Sequence, residues 1–302
     1  MSESSLAYLL QQALNAAPTA ALYALLAFGY CLSFGLTRRA DFTAGALFAF
    51  AGQIFVFFTA FGYDAFRLIY PLALGIGAVV ALCYTLLASS VIGRGVIGPL
   101  SRRAPNSVIV ASLAVMIVLM ELVRIAAGSR DLWLSPFLNV RVTFWASPGF
   151  PVVLTTIQVI NAVAMTALVL VSARVMHRSR WGRNWRAVAD DPEAARLLGV
   201  DAERVMLAAT LMTALFSALA GIMATAYYGS MDFGAGLMFG LKVVMIAAIG
   251  DQSLPSRSAV GAALFGVIET VWGAYMPFQW RDLAMFTLLV LLAVIFRRQA
   301  RI

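Results

Sequence analysis

Asp41, Thr43, Lys242 and Glu269 are the polar side chains that stand where so apolar a sequence gives them least reason to be. An ionisable group in a segment surrounded by hydrocarbon is costly, so such groups face protein or a water-filled path. Glu269 shares a helical face with Ala262, Gly266 and Gly273. Small residues on that face admit a second helix at close range, and Glu269 is expected to lie between helices, paired with Arg or Lys. Lys242, a few residues into a short apolar run, reads equally well as a snorkelling side chain or as part of a solute path. Glu121 and Arg124 share another face and are expected to pair with each other. Asp41-Phe42-Thr43-Ala44-Gly45 puts a carboxyl and a hydroxyl at a helix start, and exposed ends of broken helices are where transporters hold amino-acid carboxylates and amines. Asp41, Thr43, Lys242 and Glu269 are therefore the candidate translocation-path residues.

A second constellation lies in the long polar interval from Arg183 to Arg204. Asp190-Asp191-Pro192 has the form of a helix start, with a carboxylate to accept free N–H groups and a proline where no donor is needed. Glu193 suits the positive end of that helix, Ala194, Ala195, Leu197 and Leu198 supply apolar contacts, and Gly199 marks the stop. Two turns of helix do not hold themselves together in water. This one must dock on its own membrane domain or on another protein.

The elements that position these residues follow from composition. Hydrophobic residues make up 62% of the chain and charged residues 12%, with a mean hydropathy of +0.88, which implies an all-α, polytopic membrane protein. About nine crossings, within a range of eight to ten, are expected from stretches near the length that spans hydrocarbon. They run from about Pro18 to Leu36, Phe42 to Phe61, Ile69 to Ile92, Asn106 to Ala127, Val152 to Met176, Val205 to Tyr227, Leu237 to Ile249, Ala259 to Tyr275 and Leu283 to Phe296. The seventh is short and is either broken, re-entrant or extended by Phe233 to Gly236. Ser4 to Ala16, with Leu6, Leu9, Leu10, Ala13 and Leu14 on one side, reads as an interfacial lead-in. Residues 1–302 form one transmembrane domain, with an extracytoplasmic loop at about 128–151 and a cytoplasmic loop at about 177–204.

The net charge of +8 sets topology rather than implying nucleic acid, because the arginines cluster at the ends of apolar runs. If all nine segments cross, 16 basic residues fall on one side and 4 on the other, which puts the N-terminus outside and the C-terminus and the Asp190–Gly199 segment in the cytoplasm. The N-terminus lacks the basic region of a cleavable signal.

Several chemistries are excluded. Lys242 is the sole lysine and is followed by Val243, so there is no P-loop. His177 is the sole histidine and Cys31 and Cys83 lie in apolar runs, which leaves no metal site, disulfide framework or catalytic cluster. Two further small-residue stripes, Ser217-Gly221-Thr225 and Gly45-Ala49-Gly52, are expected at tight helix contacts.

Over nearly its whole length the chain resembles the permease subunits of ABC importers for branched-chain amino acids, of the LivH type. Ala21-Leu22-Tyr23-Ala24-Leu25 through Gly29-Tyr30 looks like the first helix of that family, and Asp41 to Gly45 like its second-helix opening. Gly128-Ser129-Arg130-Asp131, Tyr227-Tyr228-Gly229 and Gly240-Leu241-Lys242 are similar as well. Ala189 to Val200 resembles the cytoplasmic coupling loop that docks on the ATPase. Two departures stand out: Ala44 and Ala46 replace a His and a Glu of the family, and Ile249 to Arg257 replaces a glycine-rich turn. The resemblance implies a second, LivM-like permease, two cytosolic ATPases that bind ATP and Mg, an extracytoplasmic binding protein and the bacterial inner membrane. It assigns ATPase coupling to Asp190, Asp191, Glu193, Ala194, Ala195, Leu198 and Gly199, and leaves this chain without a cofactor. Urea or short amides are alternative solutes. An ion-coupled secondary transporter is the alternative from another class, though Glu121 and Glu269 are the only acids well inside segments.

Overall fold

The structure, a computed structural model, describes residues 3–104, 106–130, 132–147, 150–249 and 254–299. Asp131, residues 250–253 of the stretch that replaces the family's glycine-rich turn, and Arg301 lie outside the described residues. Backbone amides without water to bond require helices, and helices dominate.

α1 (Glu3–Thr37) is one helix of 35 residues with Pro18 inside it. The expected interfacial lead-in and separate first crossing are thus joined, which corrects the sequence reading. Tertiary contacts override the proline. Ala7 and Ala16 are buried, and the Gln11 amide both donates to the Val153 carbonyl and accepts from the Val153 N–H at 2.8 Å.

α2 (Thr43–Phe66) and α3 (Tyr70–Ile92) form an antiparallel pair, joined by a turn in which Arg67 adopts a left-handed conformation. A π turn at Gly93–Ile97 carries α3 into α4 (Gly98–Arg103), with the Gly98 N–H bonded to Gly93. α5 (Ser107–Ala126) follows. The loop after α5 contains a hairpin absent from the expectations: β1 (Arg141–Ser147) pairs antiparallel with β2 (Phe150–Thr155). Val152 to Thr155, expected to open the next crossing, are strand instead, with Val152 and Leu154 buried. The β-branched and aromatic run Val142-Thr143-Phe144-Trp145 explains the choice. α6 (Thr156–Arg178) begins at a capping box in which Thr155 and Gln158 bond each other's backbone.

α7 (Arg180–Asp190) and α8 (Pro192–Leu197) occupy the polar loop after α6, and α9 (Ala202–Tyr228), α10 (Ala235–Ile249), α11 (Pro255–Tyr275) and α12 (Arg281–Gln299) complete the body. Among the described residues, seven helices are long and apolar enough to cross a membrane. The other two expected crossings correspond to α10 and α12. With 15 residues, α10 reaches only about 22 Å, short of the roughly 30 Å of hydrocarbon; Ala235 and Gly236 supply part of the expected extension.

α1, α2 and α9 form the interior, whereas α5 and α6 leave most of their surface outward. The glycine stripes hold the interior together. A Cβ at Gly221 of α9 would overlap the Phe48 carbonyl of α2, and one at Gly45 of α2 would overlap Gly240 of α10. Gly266 lets α11 lie against Ala20 of α1. The stripes are contact faces, as expected, except at Gly273, where a side chain would meet open space.

Candidate functional site

Lys242 does not snorkel. Both it and Glu269 are 6% exposed, and their side chains meet at 3.0 Å across the α10–α11 contact. The long lysine reaches on to Asp282 at the start of α12, 3.1 Å away. Tyr23 of α1 donates its hydroxyl to the second Glu269 oxygen at 2.6 Å. Arg281 stands 3.7 Å from Glu269 and 3.8 Å from Asp282. Two cations and two carboxylates thus share one junction of four helices, a balance that low dielectric demands because an unpaired buried charge is strongly destabilising. The expected pairing of Glu269 is borne out, as is that of Glu121 with Arg124, 2.6 Å apart.

Asp41 and Thr43 lie elsewhere. Asp41 is 2% exposed and accepts hydrogen bonds from the Thr43 N–H at 2.9 Å and the Ser33 hydroxyl at 3.3 Å. Burial pushes its carboxyl above the ordinary aspartate range, against the opposing pull of those bonds. Next to it, the Phe42 N–H donates to Ser112 of α5 at 3.1 Å, so this helix start is anchored to its neighbour. No hydrogen bond or ion pair among the described residues joins Asp41 or Thr43 to Lys242 or Glu269. The four candidates form two separate sites.

At the other candidate region, Asp191 caps α8, accepting from the N–H groups of Glu193 at 2.9 Å and Ala194 at 3.0 Å. Gly199, at φ +83°, closes it: the Val200 N–H reaches back to Ala195 and the Gly199 N–H to Arg196, the double bond pattern of a left-handed helix stop. Asp190 ends α7 instead of starting α8. Ala195 is buried, while Leu197 is 90% and Leu198 83% exposed.

α7 positions α8. Trp181, Trp185 and Val188 fall at helical spacing, and Trp185, 2% exposed, donates its indole N–H to the Leu32 carbonyl of α1 at 3.0 Å. Its ring fills the space left by Gly35. Arg38, at the end of α1, donates to the Ala189 carbonyl at 3.0 Å. Behind α8 lies a cavity of about 800 Å³ bordered by the end of α1, the π turn and the start of α9, with Arg94, Arg196, Glu193 and Glu203 on its walls.

Sequence reasoning missed Tyr23, Arg281, Asp282 and the whole of α7. The Trp181-Trp185-Val188 spacing was a usable signal for α7. Nothing local marks Tyr23 as the partner of a residue 246 positions away.

A charge cluster built on a buried lysine–glutamate pair where helices meet inside a body of apolar spans belongs to a polytopic membrane transport protein. The chain matches the family described as branched-chain amino acid transport system / permease component over residues 12–295, and it belongs to that family. It is similar to the high-affinity branched-chain amino acid transport system permease protein LivH of Salmonella typhimurium, with 27% identity across 98% of this chain and 96% of that protein. LivH of Escherichia coli shows the same identity and coverage. BraD of Pseudomonas aeruginosa is 26% identical across 93% of this chain and 92% of its own length. No solved structure matches.

Proposed function

We propose that the chain is the membrane-spanning permease subunit of an ATP-driven importer, moving branched-chain amino acids or solutes of closely related chemistry across the bacterial inner membrane. The observation that carries this reading is α8. It is a helix of 6 residues, capped at both ends, tied through α7 to α1, and presenting two nearly bare leucines outside the membrane spans. Apolar side chains displayed in this way fit a groove on another protein. The excess of arginine on the same side assigns that protein to the cytosol.

On this reading Asp190, Asp191, Glu193, Ala194, Ala195, Leu198 and Gly199 make the docking segment for a cytosolic ATPase, present in two copies that bind ATP and Mg. A second, LivM-like permease completes the path, and an extracytoplasmic binding protein delivers the solute. Movement of α8 passes through Trp185 to α1, and Tyr23 links α1 to the Lys242–Glu269 junction. Asp41 and Thr43 line the path at the other helix start. The branched-chain amino acids named for LivH and BraD support the choice of solute.

Gly199→Val forces a β-branched residue into the left-handed region, and Glu193→Arg reverses the charge at the start of α8. Each is expected to abolish uptake of labelled leucine in cells while membrane insertion stays intact. Normal uptake in both variants rejects the coupling role, and uptake that survives ATP depletion but follows an ion gradient rejects the importer.

A further inference from the structure

A cavity of about 190 Å³ opens between α2, the end of α5, the loop after it and the turn that leads into α10. Its walls have two characters. Val56, Val123 and Phe233 are apolar, while Arg130 and Asp232 bring one charge of each sign to the same recess. Gln53 borders it from α2; the residue is 6% exposed, and its amide nitrogen has no hydrogen-bond partner among the described residues. A buried donor left unsatisfied costs free energy, so a site that supplies an acceptor would relieve it.

The charges are not consumed elsewhere. No ion pair is found for Arg130 among the described residues, and one oxygen of Asp232 accepts only the Gly234 N–H of its own turn, at 2.8 Å. Both residues are exposed, so the recess is open to solute. Its size is also informative. A cavity of about 150 Å³ holds benzene, so this one has room for an apolar side chain slightly larger.

We propose that this recess is a binding site for a free zwitterionic α-amino acid with a medium-sized apolar side chain. Arg130 takes the carboxylate, for which a guanidinium offers two parallel donors. Asp232 takes the ammonium, Gln53 adds a donor to the carboxylate, and Val56, Val123 and Phe233 receive the side chain. The site belongs to the permease itself and lies apart from the Lys242–Glu269 junction. This inference rests on the importer reading for its choice of solute, but its charge pattern stands independently.

The test uses the full chain in lipid nanodiscs, titrated with L-leucine, leucinamide and 4-methylpentanoate and followed by saturation-transfer NMR. Leucine is expected to bind saturably and to bind more weakly after Arg130→Gln or Asp232→Asn, each by about tenfold, the typical effect of losing one charge-assisted hydrogen bond. Leucinamide, which lacks the carboxylate, is expected to be indifferent to Arg130→Gln; 4-methylpentanoate, which lacks the ammonium, is expected to be indifferent to Asp232→Asn. Both substituted residues are exposed, so unchanged thermal unfolding of the variants is expected and separates lost binding from lost folding. The site is overturned if leucine shows no saturable binding, or if leucine binds the variants as it binds the parent. Leucine uptake by cells carrying the complete importer distinguishes the two claims. Uptake that proceeds without any binding at the recess rejects the site alone, and binding at the recess with no ATP-dependent uptake rejects the importer alone.

Discussion

The segment around α8 and the junction around Lys242 solve opposite problems. α8 is made almost entirely of local interactions: Asp191 caps it, Gly199 stops it, and its leucines face outward. The junction is made almost entirely of distant ones, with Tyr23, Lys242, Glu269, Arg281 and Asp282 drawn from α1, α10, α11 and the start of α12. A local element keeps its shape when it moves as a unit. A distributed one ties four helices together and resists any movement that separates them.

The contrast is tested first where the effect is largest. Lys242→Met leaves Glu269 buried without its nearest cation and should destabilise the protein by about 3–5 kcal/mol, read as thermal unfolding in detergent. Adding Glu269→Gln to that variant should restore much of the loss, because the orphaned charge goes with it. A double variant no more stable than the single one contradicts the view of the junction as a balanced set.

The second test compares buried carboxyls. Asp41 has hydrogen bonds but no ion pair among the described residues, and its carboxyl titrates above the ordinary range in the folded state. The folded protein therefore holds the proton more tightly than the unfolded chain does. Stability is greatest below the ordinary aspartate value and falls as pH rises from about 4 towards the raised value, with a slope of at most about 1.4 kcal/mol per pH unit. Asp41→Asn should flatten that part of the stability profile, measured as unfolding temperature against pH; an unaltered slope assigns it to another group.

Smaller effects belong to α8. Asp191→Ala removes two capping bonds and should cost about 1 kcal/mol, seen as faster amide exchange at Glu193 and Ala194 and little change elsewhere. Leu197→Ser with Leu198→Ser should alter the stability of the isolated chain by less than about 0.5 kcal/mol, yet abolish co-purification of the ATPases from cells. Retained co-purification rules out these leucines as the docking surface.

The same contrast governs what was legible in the sequence. Asp191-Pro192 and Gly199 could be read directly because capping acts within a few residues. Pairing of Glu269 was foreseeable from its place among small residues, but its partner was not, since the sequence does not say which helices adjoin. The continuity of α1 through Pro18 was hidden for that reason too, since the contact of Gln11 with Val153 joins residues 142 apart in sequence, whereas the β1–β2 hairpin had a local signal in Val142-Thr143-Phe144-Trp145. α7 was lost differently. Its arginines drew attention to a polar interval and away from the Trp181-Trp185-Val188 face.

The π turn at Gly93–Ile97 bears on how this helix tolerates changes in length. Such a turn holds one residue more than the α turn it replaces. Gly95 has no neighbour within 4 Å of where a side chain would be, so a single-codon deletion there could be absorbed by reverting to ordinary α-helix. The residues beyond would then keep their angular positions around the axis, and Ser101 would stay beside Met206 of α9, its partner at 3.6 Å. Losing that one codon would leave the wall of the cavity behind α8 in place, whereas a codon lost from the ordinary helix of α3 would turn everything beyond it by about 100°.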